Sequence, residues 1–145
     1  MTDLSQFSEL AVAESGLVVV STSRADGSIQ SSLVNAGIFA HPVTDVPTVA
    51  FVTYGRAKLG NLRARPWATI TARSGWQWSS VEGVVDIIGP DDTAPGAEGQ
   101  DVPSLLRAVF VAAGGTHDDW EAYDRTMAEQ RRAAVLVTPR RAYSN

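Results

Sequence analysis

Lys58 is the only lysine in the chain; the other eleven of its twelve basic residues are arginine. It stands in VTYGRAKLGNLRARP, residues 52–66, two positions after Arg56, where a β-rich run meets Gly55 and a short helix begins. A helix start offers backbone N–H groups without intrahelical partners and a partial positive charge. Two cations in that first turn oppose the dipole, and a bound anion would resolve the conflict. A planar guanidinium fork and an ammonium point charge are the usual partners of a phosphate. The competing arrangement is a solvated basic face, with Leu59 and Leu62 packed inward and Arg63 and Arg65 in water.

Two further stretches carry usable groups. Trp76 and Trp78, in SGWQWSSVEG, lie two apart and would share one face of a strand. They would form an aromatic wall for a planar ligand, or cover the core or a subunit interface. In SSLVNAG, residues 31–37, small polar residues interrupt an apolar strand, and Ser31, Leu33 and Asn35 share a face. Such a strand presents hydroxyls, an amide and backbone groups to a ring system, or it simply faces water. His117, beside a helix start, is either a neutral hydrogen-bond donor or a local packing residue. Trp120 and Tyr123, three apart, pack that helix onto the rest. No nucleophile–base pair is visible. Any chemistry therefore belongs to a bound cofactor.

Composition narrows the classes. The net charge of −4 and the sequence pI near 5.0 argue against a general nucleic-acid binder, which needs a basic face. A local basic cluster on an acidic protein points to one discrete anion. With no cysteine, thiol catalysis, disulfides and zinc–cysteine sites are excluded. The two histidines, His41 and His117, are too far apart to suggest a metal motif. No apolar run approaches membrane-spanning length. The opening MTDLSQFSEL lacks the basic-then-apolar pattern of a signal peptide, so a cytoplasmic location is expected.

The elements that must position these residues are legible in outline. A helix is expected over 2–15, stopped by Gly16, then a buried strand at 17–23 and a hairpin turn at Asp26-Gly27. Strands follow at 29–40 and 48–54, a helix at 57–64 ended by Pro66, and strands at 67–73 and 77–89 with Gly83 as a bulge. A loop over 90–103 precedes helices at 104–114 and 118–132. The second is expected to be capped by Asp118 with Glu121 in a capping box, and to end on Arg131 and Arg132, which suit its negative end. A last strand is expected at 133–139, with RRAYSN as a tail. About six antiparallel strands with peripheral helices predict a mainly β barrel in one domain spanning 1–145.

In this order, the DG hairpin, the long strand, RAKLGNLRARPWATI, GWQWSSVEG, HDDWEAY and RRAAVLVTP resemble the flavin/deazaflavin oxidoreductase split-barrel superfamily, which includes pyridoxamine 5'-phosphate oxidase-like proteins. The resemblance covers roughly the whole chain. It is greatest to the actinobacterial branch that uses coenzyme F420, a phosphorylated deazaflavin with an oligoglutamate tail. It implies a homodimer of split β-barrels with two cofactor sites at the subunit interface. In that family the RAK segment binds the cofactor phosphate, which points to Arg56 and Lys58, with Asn61 matching a following asparagine. Leu59 stands where the family commonly has Thr or Ser, so one hydroxyl donor is lost. Trp76 and Trp78 match aromatic positions flanking the ring. Ser32, Val34 and Asn35 match the strand beneath it, and Thr53 the neighbouring strand. The implied activity is F420-dependent hydride transfer to a small unsaturated or quinone-like substrate. The arginine-rich, lysine-poor composition suggests a GC-rich genome and fits actinobacteria. Alternatives are an FMN-dependent enzyme of the pyridoxamine-phosphate-oxidase type, and a non-enzymatic carrier of a flavin-like or tetrapyrrole ligand.

Overall fold

The computed structural model describes residues 2–145. Its elements, in chain order, are α1 (Ser5–Ala13), β1 (Leu17–Ser23), β2 (Ile29–Ala40), β3 (Pro47–Thr53), α2 (Arg56–Ala64), β4 (Trp67–Ser74), β5 (Gln77–Ile88), α3 (Val102–Ala112), α4 (Trp120–Glu129) and β6 (Ala133–Ser144). The six strands close into an antiparallel barrel in the order β1-β2-β3-β6-β5-β4. This is the expected six-stranded barrel with peripheral helices. None of the described helices is long and apolar enough to cross a membrane.

Alternation drives the strands inward. Val18 and Val20 of β1, Phe51 of β3, Ile70 of β4, Val81 of β5 and Val135 of β6 are all fully buried and belong to one core. Burying side chains of this size contributes about 1.5–3 kcal/mol each before entropy is counted. Phe7 and Leu10 of α1 and Leu59 and Leu62 of α2 join the same core. A second core lies outside the barrel wall. There Leu105, Leu106 and Val109 of α3 and Tyr123 of α4 pack on Ala50, Ala134 and Leu136. Covered on both faces, the centre of β3 and the first half of β6 read as continuous apolar runs rather than alternating ones.

Three local expectations are corrected. RRAYSN is not a tail, since β6 continues through Ser144 and pairs with the start of β5. It continues past Pro139 because Glu82 pairs with Arg141 while Gly83 pairs with Pro139, leaving Arg140 as an extra bulge residue. Beyond the bulge the strand is held by polar contacts: Arg141 pairs with Glu82 at 2.9 Å, and the Tyr143 hydroxyl donates to Glu82 at 3.2 Å. The cap of α4 is Asp119, not Asp118; its Oδ1 accepts the Ala122 N–H at 3.0 Å. His117 Nδ1 accepts the Asp119 N–H at 3.0 Å, which helps to hold Asp119 in a non-helical conformation. The expected Glu121 capping box is therefore out of register. Finally, Trp76 and Trp78 do not share a strand face, because Gly75-Trp76 forms the two-residue turn between β4 and β5.

The β2–β3 turn rests on His41, which is 3% exposed. Its Nδ1 accepts the N–H groups of Val43 at 3.1 Å and Thr44 at 3.4 Å. Those bonds assign the proton to Nε2, which donates to Asp86 Oδ2 at 2.8 Å. His41→Leu keeps the bulk but leaves the two turn N–H groups without an acceptor. It is expected to lower unfolding free energy by about 2 kcal/mol, read as an earlier urea midpoint. A loss under ~0.5 kcal/mol would show that these bonds do not hold the turn.

Candidate functional site

The barrel wall is open at one seam. β2 pairs with β3 only from Ala36↔Phe51 to Ala40↔Pro47, and the first half of β2 pairs with β1 alone. On the other side of the seam, Val52 and Thr53 pair with Ala134 and Ala133 of β6. The Ala36 N–H donates to the Gly16 carbonyl at 2.9 Å, on the β1 side. By the two-residue alternation of an antiparallel ladder, the backbone groups of Leu33 and Asn35 turn away from β1, toward the opening. An unpaired strand edge of this kind is a row of donors and acceptors available to a ligand.

A cavity of 380 Å³ occupies the seam. Leu33, Val34 and Asn35 form one lip, and Val52, Thr53 and Tyr54 the other. Val109 and Phe110 of α3 and Tyr123 and Met127 of α4 supply apolar and aromatic walls, while Lys58 and Arg132 bring the charge. The volume suits a small-molecule site, typically about 300–1,000 Å³.

Lys58 reaches this cavity because Gly55 lets the chain turn sharply from β3 into α2. Gly55 has φ 102° and ψ 157°, a conformation essentially confined to glycine, and no side chain caps the helix it precedes. The half-buried Lys58 donates from Nζ to Thr53 Oγ1 at 3.2 Å and lies 5.9 Å from the centre of the Phe51 ring. Among the described residues no carboxylate lies within ion-pair distance of it. Its pKa falls below the ordinary lysine value, first because burial disfavours the ammonium and second because Arg132 is nearby. A desolvated cation without an acidic partner is an unfinished interaction.

Of the residues singled out from sequence, the cavity brings together Val34, Asn35, Thr53 and Lys58. Ser32 is on the same strand, and its hydroxyl is buried without a hydrogen-bond partner. Arg56 is exposed at the first position of α2 and does not line the cavity. Leu59 is 3% exposed and packs in the barrel core, so its side chain has exchanged a polar role for burial. Asn61 braces the segment instead: its Nδ2 donates to Thr22 Oγ1 at 3.0 Å, and its Oδ1 accepts from Arg65 at 3.3 Å. Trp76 is 94% exposed at its turn, and Trp78 packs edge-on against Tyr143, 6.1 Å between ring centres. Neither tryptophan lines the cavity, and His117 does not either. Sequence reasoning missed Tyr54 and Met127, and gave Arg132 and Tyr123 only structural roles. Tyr54 lies only four positions before Lys58, but no spacing rule links Tyr123, Met127 and Arg132 to it, since α4 and the segment after it reach the seam only through tertiary packing.

Comparison with solved structures agrees with this architecture. The chain superimposes on a pyridoxamine 5'-phosphate oxidase-related, FMN-binding protein from Nostoc punctiforme with TM-score 0.66 and 14% identity, covering 99% of this chain and 84% of that one. An F420 reductase superimposes with TM-score 0.58 and 18% identity over 88% of each chain. HutZ, the heme storage protein from Vibrio cholerae, gives TM-score 0.57 and 13% identity, covering 99% and 94%. No protein-family model matches the sequence, and no curated protein does. At these identities the likeness establishes the split-barrel fold, which these proteins of differing ligands share.

Proposed function

We propose that this chain forms a cytoplasmic, homodimeric oxidoreductase that uses coenzyme F420 to transfer a hydride to a small unsaturated or quinone-like substrate. The observation that carries the reading is Lys58: a half-buried ammonium without a carboxylate partner, beside an uncapped helix start, at the mouth of a cavity with aromatic walls. The residues fit a phosphorylated tricyclic cofactor. Lys58 and the first N–H groups of α2 suit its phosphate, with Arg56 available from the same turn. The open edge at Leu33 and Asn35, with Val34 and Thr53, suits the rim of a ring. The buried, unpartnered Ser32 hydroxyl is a further polar group on that strand. Bound there, the coenzyme supplies hydride chemistry. The chain's own contribution is to hold the ring in one orientation and to keep water from its covered face.

The dimer completes the reading. The outer barrel face carries Leu33, Val19, Thr71, Ser80 and Tyr143 in one cross-strand row. Leu33, Val19 and Tyr143 are exposed apolar or aromatic side chains, as is Trp76 at 94%. A row of this kind suits a subunit interface, and Trp76 then becomes available to a site in the partner.

The second reading, an FMN enzyme, draws on the same phosphate chemistry and on the FMN-binding fold neighbour. Absorption spectra of the purified protein separate the two. The expected result is a colourless protein that binds added F420 with sub-millimolar affinity, followed as quenching of deazaflavin fluorescence. A yellow protein that releases FMN on denaturation would sink the deazaflavin reading. Binding without turnover of quinones, enones or nitroaromatics by the reduced coenzyme would favour a carrier of flavin-like ligands.

A further inference from the structure

Consecutive arginines lie just past the end of α4, not in its last turn as expected, and go to opposite fates. Arg131 adopts φ 50°, in the left-handed region, and its guanidinium forms a fork with Asp91. The turn at Arg131 leaves Arg132 immediately before β6, where Ala133 pairs with Thr53. There the Arg132 guanidinium carbon lies 4.0 Å from the centre of the Tyr54 ring, and Nε donates to Gln130 Oε1 at 2.7 Å. Both contacts hold the head group at the cavity lip with its Nη atoms still available as donors.

The charge pattern is what calls for a ligand. Arg63, Arg107, Arg131 and Arg141 each pair with a carboxylate. Six other arginines also lack a carboxylate but do not line the cavity; Arg132 has no such partner among the described residues, and neither does Lys58. Both line the 380 Å³ cavity, and no Asp or Glu does. The Lys58 pKa is lowered first by burial and second by the positive charge of Arg132, in keeping with two cations that share one cavity. Like charges held together over partly desolvated walls weaken each other unless an anion lies between them.

We propose that Arg132 is the second anion-binding residue of this cavity. With Lys58 it forms a clamp for a phosphate ester, built from two parts of the fold that only the barrel brings together. Lys58 supplies the point charge from α2, and Arg132 supplies a fork from the α4–β6 junction. Specificity for a phosphate-bearing ring over the same ring without phosphate then depends on Arg132. In its choice of ligand the proposal rests on the cofactor reading above.

The test compares the wild type with Lys58→Ala, Arg132→Gln and Arg132→Lys. The probes are F420, its dephosphorylated deazaflavin, FMN, riboflavin and inorganic pyrophosphate, titrated by fluorescence and calorimetry. Arg132→Gln should weaken binding of the phosphorylated rings about tenfold, as for loss of a charge-assisted contact. It should leave the unphosphorylated rings unchanged, and Arg132→Lys should recover part of the loss. Equal affinity of wild type and Arg132→Gln for every phosphorylated ring would overturn the clamp while the cofactor reading stands. An equal loss for phosphorylated and unphosphorylated rings would also overturn it, assigning Arg132 to the ring or to folding. Pyrophosphate binding that needs both Lys58 and Arg132, in a protein that binds no ring, would uphold the clamp and end the cofactor reading. A wild type that binds none of the five would end both.

Discussion

Lys58→Ala is expected to weaken binding of the proposed phosphorylated cofactor by about 1–3 kcal/mol, roughly 5- to 150-fold. The reason lies in what surrounds the ammonium. It is half-buried, its one hydrogen bond runs to the Thr53 hydroxyl, and it has no acid to satisfy it. A ligand anion therefore meets a cation already stripped of part of its water and paired with no carboxylate, so little competes for it. The alanine variant should fold, because Lys58 belongs to neither core while its neighbours Leu59 and Leu62 do. The same logic sets a pH dependence. Burial and Arg132 lower the Lys58 pKa in the free protein, and a bound anion favours the charged form. Affinity is then constant on the acid side and falls as pH rises through that lowered pKa. Titration by deazaflavin fluorescence measures both effects. An alanine variant of unchanged affinity and unchanged alkaline profile would refute the assignment of Lys58.

Gly83→Ala is expected to be among the most damaging single substitutions in the barrel. A β-carbon at this position would lie 1.9 Å from the Thr138 carbonyl oxygen, 2.8 Å from its carbon and 3.0 Å from Pro139 Cα. All three are backbone atoms of the paired strand, so no side chain can swing aside. The contact arises at the bulge, where Glu82 pairs with Arg141 and Gly83 with Pro139. Proline, lacking an N–H, suits such a break in the ladder. One added methyl must either flatten the bulge or push β5 and β6 apart, opening the barrel beside its core. Overpacking usually costs about 1–3 kcal/mol, and a backbone collision belongs at or above the upper end. That is a large part of the roughly 5–15 kcal/mol that holds a domain folded. Urea unfolding gives the measurement, and a loss below ~1 kcal/mol would show that the bulge relaxes cheaply.

A break in the ladder at Gly83 was legible in the sequence, whereas the strand that carries the extra residue, β6 at Arg140, and the consequence were not. A glycine inside a strand pattern signals a bulge or a close backbone approach. That β6 therefore runs on to Ser144 could not be read from RRAYSN. Its far half is exposed and held by Glu82, Trp78 and the β5 edge rather than by an apolar period. The α4 cap shows the same limit on a smaller scale. Asp118 and Asp119 are equally good caps by type, and a hydrogen bond to His117 chose between them.

The local code determined the number and order of strands, the Asp26-Gly27 hairpin, the helix beginning near Arg56 and the prominence of Lys58. Each of these depends on near neighbours: alternation, turn chemistry, a glycine before a helix. The site depends on distant residues. It exists because β2 leaves β3 after Ala36↔Phe51, and because α3 and α4 pack over the seam that this leaves. Closure of the barrel sets Val34, Asn35, Thr53 and Lys58 around one cavity and leaves Trp76 outside it. It also carries Arg132, which the sequence marks only as a charge at a helix end, to the same cavity as a lysine 74 positions before it. Periodicity and propensity act over a few residues, while a cavity is a property of which surfaces meet. Only tertiary packing decides that.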